Sequence, residues 1–287
     1  MIVITAAGGN LGRLVLEDLL GRDVPATGIR AVVRDQTKLA DYAERGVEVV
    51  QGDYNDEAGL VAALEGADKL LLISSNESSN AGRVKQHVNV IAAAKQAGVK
   101  HLVYTSIPHA ENNAIAFSVV HKDTEEAIRE SGIPFTFLRN NWYFENATAS
   151  LGAALEHGAI IGAAGEGKIG YATRADYAAA AAVVLAGEGH EGEVYELTGD
   201  VAITQAELAA EVSAQSGKQV VFAPLPAQEY AKALEGFGLP AELAAALAQA
   251  DVAISQGALA ETTGTLAKLI GRPTTTVAEA VAQALGK

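Results

Sequence analysis

The stretch Ile2-Val3-Ile4-Thr5-Ala6-Ala7-Gly8-Gly9-Asn10-Leu11-Gly12 decides the fold. Residues 2–5 are mostly β-branched and read as a strand. Leu11, Leu14, Val15 and Leu19 then fall on one face of a helix over 11–20. The glycines between let the backbone turn sharply and come within contact distance of a pyrophosphate. The helix start offers unpaired N–H groups and a favourable dipole. Ala7, Gly8, Gly9, Asn10, Leu11 and Gly12 are therefore candidate dinucleotide contacts, with Gly12 permitting close packing of helix on strand. Alone, such a pattern is weak, and an ordinary glycine turn is the alternative. Its place after a strand and before an apolar-faced helix is the context the motif requires.

The same alternation continues outward. Strands are expected at 29–33, 47–51, 69–74, 101–104 and 135–138, and helices at 38–44, 57–64, 84–97 and 120–131. Leu70-Leu71-Leu72-Ile73 is apolar without alternation, which fits a strand buried on both faces of a parallel sheet. The rhythm predicts an α/β protein with a Rossmann-type doubly wound parallel sheet. After 138 it changes: helices at 142–156, 174–185, 204–216, 229–235, 241–255 and 277–285, with short strands at 159–161, 194–197 and 219–222. Thr204 with Glu207 forms a capping box. Residues 1–138 read as an NAD(P)-binding core. Residues 139–287 supply the remaining sheet strands and a smaller, mostly helical, substrate-binding lobe. No low-complexity linker separates them, so they are expected to pack as one compact unit.

Composition excludes other classes. The 287 residues include 21 Lys and Arg against 35 Asp and Glu, a formal charge of −14. A general nucleic-acid binder needs a basic face, and an anionic membrane surface would repel this chain. There is no cysteine, hence no disulfide, thiolate nucleophile or Cys-ligated metal. The six histidines show no i,i+4 pair, so no metal site is expected. No apolar run reaches the roughly 20 residues of a membrane span, and residues 1–5 lack the basic flank of a secretory signal. A soluble, acidic, cytoplasmic protein is expected, monomeric or homodimeric.

The ends of the strands carry the cofactor reading. Val33 is followed by Arg34, placed to accommodate a 2′-phosphate and so favouring NADP; Asp35 leaves NAD open, and an Arg34–Asp35 surface pair is the alternative. Asp53 follows the third strand, suited either to the adenine amino group or to capping the next helix. Ser74 and Ser75 end the fourth strand and Thr105 the fifth, where loops would pass the nicotinamide. Residues 76–81, rich in Ser and Asn, read as a mobile lid segment, and His87 as structural or as a cofactor-side contact.

These residues carry a resemblance. The glycine loop, Arg34, Gly52-Asp53-Tyr54, Leu71-Leu72-Ile73-Ser74, His101-Leu102-Val103-Tyr104-Thr105-Ser106 and Leu138-Arg139-Asn140-Asn141-Trp142-Tyr143 resemble the NmrA-like branch of the atypical short-chain dehydrogenase/reductases. Gly165-Glu166-Gly167-Lys168, Ala172-Thr173-Arg174-Ala175-Asp176-Tyr177 and Leu269-Ile270-Gly271 extend it across essentially the whole chain. The resemblance implies NADPH-dependent reduction of quinones, or of triphenylmethane or azo dyes, or else a non-catalytic NAD(P)-binding regulator. The Rossmann loop and Arg34 account for one dinucleotide, and nothing suggests a second, so no flavin is expected. The family loop is G-x-x-G-x-x-G, and its first glycine falls on Ala6. Ala6 serves there only with negative φ, since a left-handed backbone costs an L-residue roughly 1 kcal/mol or more.

Most short-chain dehydrogenases use a Tyr and a Lys four residues apart; here His121 and Glu125 fall at those positions. The Tyr–Lys relay is therefore absent. His121 is read either as a hydrogen-bond or proton donor or as half of a structural His–Glu pair. The loop after the sixth strand holds two amides and two aromatics. Asn141 and Tyr143 join His121 as catalytic candidates, and Asn140, Trp142, Phe144 and Tyr171 are candidates for the wall facing a small aromatic or quinone acceptor.

Overall fold

The computed structural model describes residues 1–287. In chain order the elements are β1 (Ile2–Ile4), α1 (Asn10–Gly21), β2 (Ile29–Val33), α2 (Ala40–Glu44), β3 (Glu48–Gln51), α3 (Glu57–Leu64), β4 (Lys69–Leu72), α4 (Asn80–Gln96), β5 (His101–Ser106), α5 (Ser118–Ser131) and β6 (Phe135–Asn140). There follow α6 (Phe144–Thr148), α7 (Leu151–His157), β7 (Ala159–Gly162), β8 (Lys168–Ile169), α8 (Arg174–Ala186), β9 (Val194–Leu197), β10 (Ile203–Thr204), α9 (Gln205–Ser216), β11 (Val221–Pro224), α10 (Ala227–Gly236), α11 (Ala241–Ser255), α12 (Thr265–Ile270) and α13 (Val277–Ala284).

Seven strands form one sheet in the order β3-β2-β1-β4-β5-β6-β9. Every neighbouring pair from β3 to β6 is parallel. This is the doubly wound order, whose direction reverses between β1 and β4. Ile4 pairs with both Ala31 and Leu71, so β1, β2 and β4 release their following loops along one edge. Leu70, Leu71 and Leu72 are fully buried, as their unbroken apolar run predicts. On one face, Val3, Val32, Leu70, Leu72, Leu102 and Phe137 pack with Leu60 and Leu64 of α3 and Val90 and Ile91 of α4. That dry layer fixes the sheet on which the loops stand.

The chain divides into two compact units. The first comprises Met1–Ala110, Val119–Asn140 and Tyr177–Glu196; the second comprises Glu111–Ser118, Asn141–Asp176 and Leu197–Lys287. In the second, β7 pairs parallel with β11, and β8 pairs antiparallel with β10. The Thr204 capping box forms as read. Two buried carboxylates brace this unit. Asp176 accepts from the Thr173 hydroxyl at 2.9 Å, Thr275 N at 3.0 Å and Arg272 at 2.7 Å. Asp251 of α11 accepts from Ala163 N at 2.7 Å. No helix is long and apolar enough to cross a membrane.

Some local expectations change. The helix expected over 142–156 breaks into α6 and α7. Ser150 lies at the break, where its hydroxyl reaches back to Ala147 O, a local bond that competes with helix continuation. Helix α4 starts at Asn80, because the Ser79 hydroxyl caps Gly82 N at 3.1 Å. Of residues 76–81, read as a mobile lid segment, 76–79 are loop and 80–81 open α4. Glu77 N donates to the Ser75 hydroxyl at 3.1 Å, and the Glu77 carboxylate accepts from Ser78 N at 3.0 Å. Helix α12 carries no clear sequence signal and was not expected.

Candidate active site

The glycine loop makes a tight turn. Gly9 N donates to Ala6 O at 3.0 Å, and Ala7 N to Val32 O at 3.2 Å. Ala6 has φ +48°, so the condition of a negative φ is not met and the cost of a left-handed backbone applies. The residue is exposed. At Gly12 a Cβ would stand 2.6 Å from Ala7 Cα and 2.7 Å from Ala6 O, so only glycine fits there. The start of α1 has no side-chain cap and no acidic residue in its first turn. Its free N–H groups are open to an anion, with nothing of like charge to repel a pyrophosphate.

At the adenosine end, Arg34 is exposed at the end of β2 and forms no ion pair. The Asp35 carboxylate turns instead to Thr37, accepting from its N at 3.1 Å and its hydroxyl at 2.6 Å. The alternative of an Arg34–Asp35 pair is therefore not what forms. Sequence reading missed Lys38. Its Cβ would lie 3.8 Å from a Cβ placed on Gly8, so its stem runs beside the phosphate loop. The signal was a second basic residue four positions after Arg34. Asp53 accepts from Asn55 N at 2.8 Å, while Asp56 caps α3. The helix cap thus falls to Asp56, which corrects the capping reading of Asp53.

At the other end of the sheet edge, polar side chains interlock. Ser74 N donates to the Thr105 hydroxyl at 2.9 Å, and Ser75 N to His87 Nε2 at 2.9 Å. The Thr124 hydroxyl donates to Val120 O, so His87 Nδ1–H donates to Thr124 and its Nε2 is the acceptor. Burial lowers the His87 pKa to about 3, in keeping with this neutral tautomer. His87 thus anchors the loop after β4. His121 is buried, with Nδ1 2.9 Å from the Tyr104 hydroxyl. Desolvation, with Arg83 and His87 nearby, holds its pKa well below the ordinary value. This favours the neutral imidazole, which still carries one N–H and so keeps the hydrogen-bond part of the donor reading. The expected His–Glu pair is corrected. Glu125 accepts from the Ser106 hydroxyl at 2.6 Å and takes Arg139 bidentately at 2.9 and 2.7 Å, which holds the carboxylate away from His121. Arg139 donates further to Glu196 at 2.8 Å.

The acceptor-side candidates are placed as follows. Asn140 ends β6, buried. In the second unit, Asn141 is a loop staple: its amide donates to Leu259 O at 3.2 Å and accepts from Trp142 N at 2.7 Å. Trp142 is half-buried and stacks on Phe117 with centroids 5.9 Å apart. Tyr143 precedes α6 and lies under the Arg174 guanidinium, 4.8 Å from its ring centroid. Phe144 and Tyr171 are 3% and 2% exposed and stack on each other at 5.0 Å, which leaves little of either ring for a ligand. No group of three or more His, Asp or Glu side chains is arranged to hold a metal ion.

A parallel sheet with this order, a glycine cradle at its first turn and an uncapped helix above it define a dinucleotide-binding α/β protein. The chain belongs to the NmrA-like family, which residues 1–262 match. It is 54% identical to quinone oxidoreductase 2 of Escherichia coli (strain K12), over 98% of this chain and 97% of that one. Among solved structures it is similar to the NADPH-dependent quinone oxidoreductase of E. coli complexed with NADPH, with TM-score 0.96, 53% identity, and coverage of 99% and 100% of the two chains. The triphenylmethane reductase of Citrobacter sp. complexed with NADP(H) aligns with TM-score 0.94 and 43% identity, over 99% and 100%.

Proposed function

We propose that this protein is an NADPH-dependent reductase that passes hydride directly to quinones, without flavin. The observation that carries the reading is the uncapped start of α1 over a cradle only glycine fits, in a chain 54% identical to a quinone oxidoreductase. When bound, NADPH supplies a hydride from its nicotinamide. The N–H groups at the start of α1 hold the pyrophosphate, and Arg34 with Lys38 holds the 2′-phosphate. Ser74, Ser75 and Thr105, fixed to one another and to His87, orient the nicotinamide end. Asn141 and Tyr143 position the acceptor side of the reaction, with Asn140 and Trp142 contacting the acceptor. Glu125, locked to Arg139, cannot do the work of the missing lysine. Quinones tolerate that loss, because the anion formed on reduction is a stabilised phenolate that takes its proton from water. What the chain must supply is mainly position and orientation.

A dye reductase is the second reading, favoured by the Citrobacter neighbour. Steady-state NADPH oxidation by purified protein, with benzoquinone and with a triphenylmethane dye, separates the two. Tight NADPH binding with no turnover on either acceptor sinks both and leaves a nucleotide-binding regulator.

A further inference from the structure

Among the arginines of the first unit, most hold a carboxylate. Arg13 pairs with Asp41, Arg22 with Asp18, Arg30 with Glu48, Arg45 with Glu17, and both Arg129 and Arg139 with Glu125. The two exceptions are Arg34, at the adenosine end, and Arg83, in the first turns of α4 beside the loop after β4. Arg34 is exposed, but Arg83 is half-buried. Its Nη2 donates to the Ser74 hydroxyl at 2.8 Å, and its Nε is buried without a partner. Burial lowers its pKa, yet a guanidinium stays charged. Its ionisable neighbours are Tyr104, His87 and His121. Burial raises the Tyr104 pKa and lowers both histidines, so all three are neutral. A half-buried cation with no counter-charge, one of whose donors is shut away unpaired, is costly, and negative charge on a ligand beside its remaining N–H groups would offset that cost.

We propose that Arg83 is a catalytic residue of the reduction: its guanidinium donates to the acceptor oxygen on which negative charge builds up. The inference rests on the reading of the protein as an NADPH-dependent quinone reductase. The nicotinamide C4–H bond breaks, and its electron pair and hydrogen pass to the quinone. The quinone becomes a hydroquinone monoanion, NADPH becomes NADP⁺, and water supplies the second proton. Arg83 stays protonated throughout and acts by charge alone, in a place from which the usual tyrosine donor is missing.

The same charge opposes the positive oxidised nicotinamide, which gives a readout independent of turnover. Dissociation constants for NADPH and NADP⁺ are to be measured by calorimetry for wild type, Arg83→Gln and Arg83→Lys. Wild type should prefer NADPH. Arg83→Gln should lose about 10- to 100-fold of that preference, through tighter NADP⁺ binding. Arg83→Lys should keep most of it, and kcat with benzoquinone should fall in Arg83→Gln by a similar factor. Arg83→Met provides the same comparison if the Gln variant does not fold. An unchanged preference in Arg83→Gln overturns the proposal. So do parallel losses for both nucleotides, which would leave Arg83 a brace for Ser74. Wild type binding neither nucleotide would instead sink the NADPH-dependent reading itself.

Discussion

Replacing Arg34 by Ala tests the cofactor reading at one site. A charged hydrogen bond to the 2′-phosphate is worth roughly 1.5–3 kcal/mol, and an exposed residue belongs at the low end. Arg34 is exposed, and Lys38 remains four residues on with its stem beside Gly8. The single variant should therefore weaken NADPH binding about 10-fold. Arg34→Ala with Lys38→Ala should lose more, about 100-fold, because both cations answer one phosphate and neither then stands in for the other. NADH lacks that phosphate, so its affinity should be unchanged. It should not improve either, because the Asp35 carboxylate is already committed to Thr37 and is not free to turn to the ribose. Fluorescence titration with both nucleotides at low and high salt reads all of this, and the NADPH effect should shrink with salt. Equal losses for NADPH and NADH would show that Arg34 supports the loop without reading the phosphate. No loss for either would remove the argument for NADPH over NADH.

Three further outcomes follow from the geometry. Gly12→Ala puts a Cβ 2.6 Å from Ala7 Cα, so the start of α1 must move; NADPH affinity should fall at least about 10-fold and stability by about 1–3 kcal/mol, measured by titration and thermal unfolding. Glu125→Gln leaves buried Arg139 with Glu196 as its remaining carboxylate and should cost about 3 kcal/mol; a urea midpoint equal to wild type would contradict the pairing. Burial raises the Asp251 pKa from 3.8 to about 6 against the pull of the Ala163 and Ala164 N–H groups. A carboxyl whose folded pKa lies above its unfolded value holds its proton longer when folded. Its contribution is full below about pH 4 and is lost as pH rises through about 6, a change of about 3 kcal/mol. Asp251→Asn should flatten that part of the stability–pH curve, and identical curves for variant and wild type would refute it.

Strand and helix periodicity placed β1 to β6 and the helices between them, because each strand buried on both faces must be continuously apolar and each flanking helix apolar on one side. The glycine loop was legible for a similar reason: backbone approach at Gly12 excludes any side chain, so composition records geometry. Arg34 was found because its place follows from chain position at a strand end. What no local pattern encodes is which partner a polar side chain finds. Sequence spacing put His121 and Glu125 on one helix face, but Tyr104 takes the histidine and Arg139 the carboxylate, from other strands of the sheet. It offered Phe144 and Tyr171 as acceptor contacts, and packing stacked them on each other. It gave no reason to single out Arg83, whose meaning lies in the carboxylates that are absent around it. Sequence by itself thus determined the layer order and the dinucleotide loop, where backbone shape and burial are dictated residue by residue. Only tertiary structure decided the charge and hydrogen-bond pairings of the site, because those join residues far apart in the chain whose distance is set by the whole sheet.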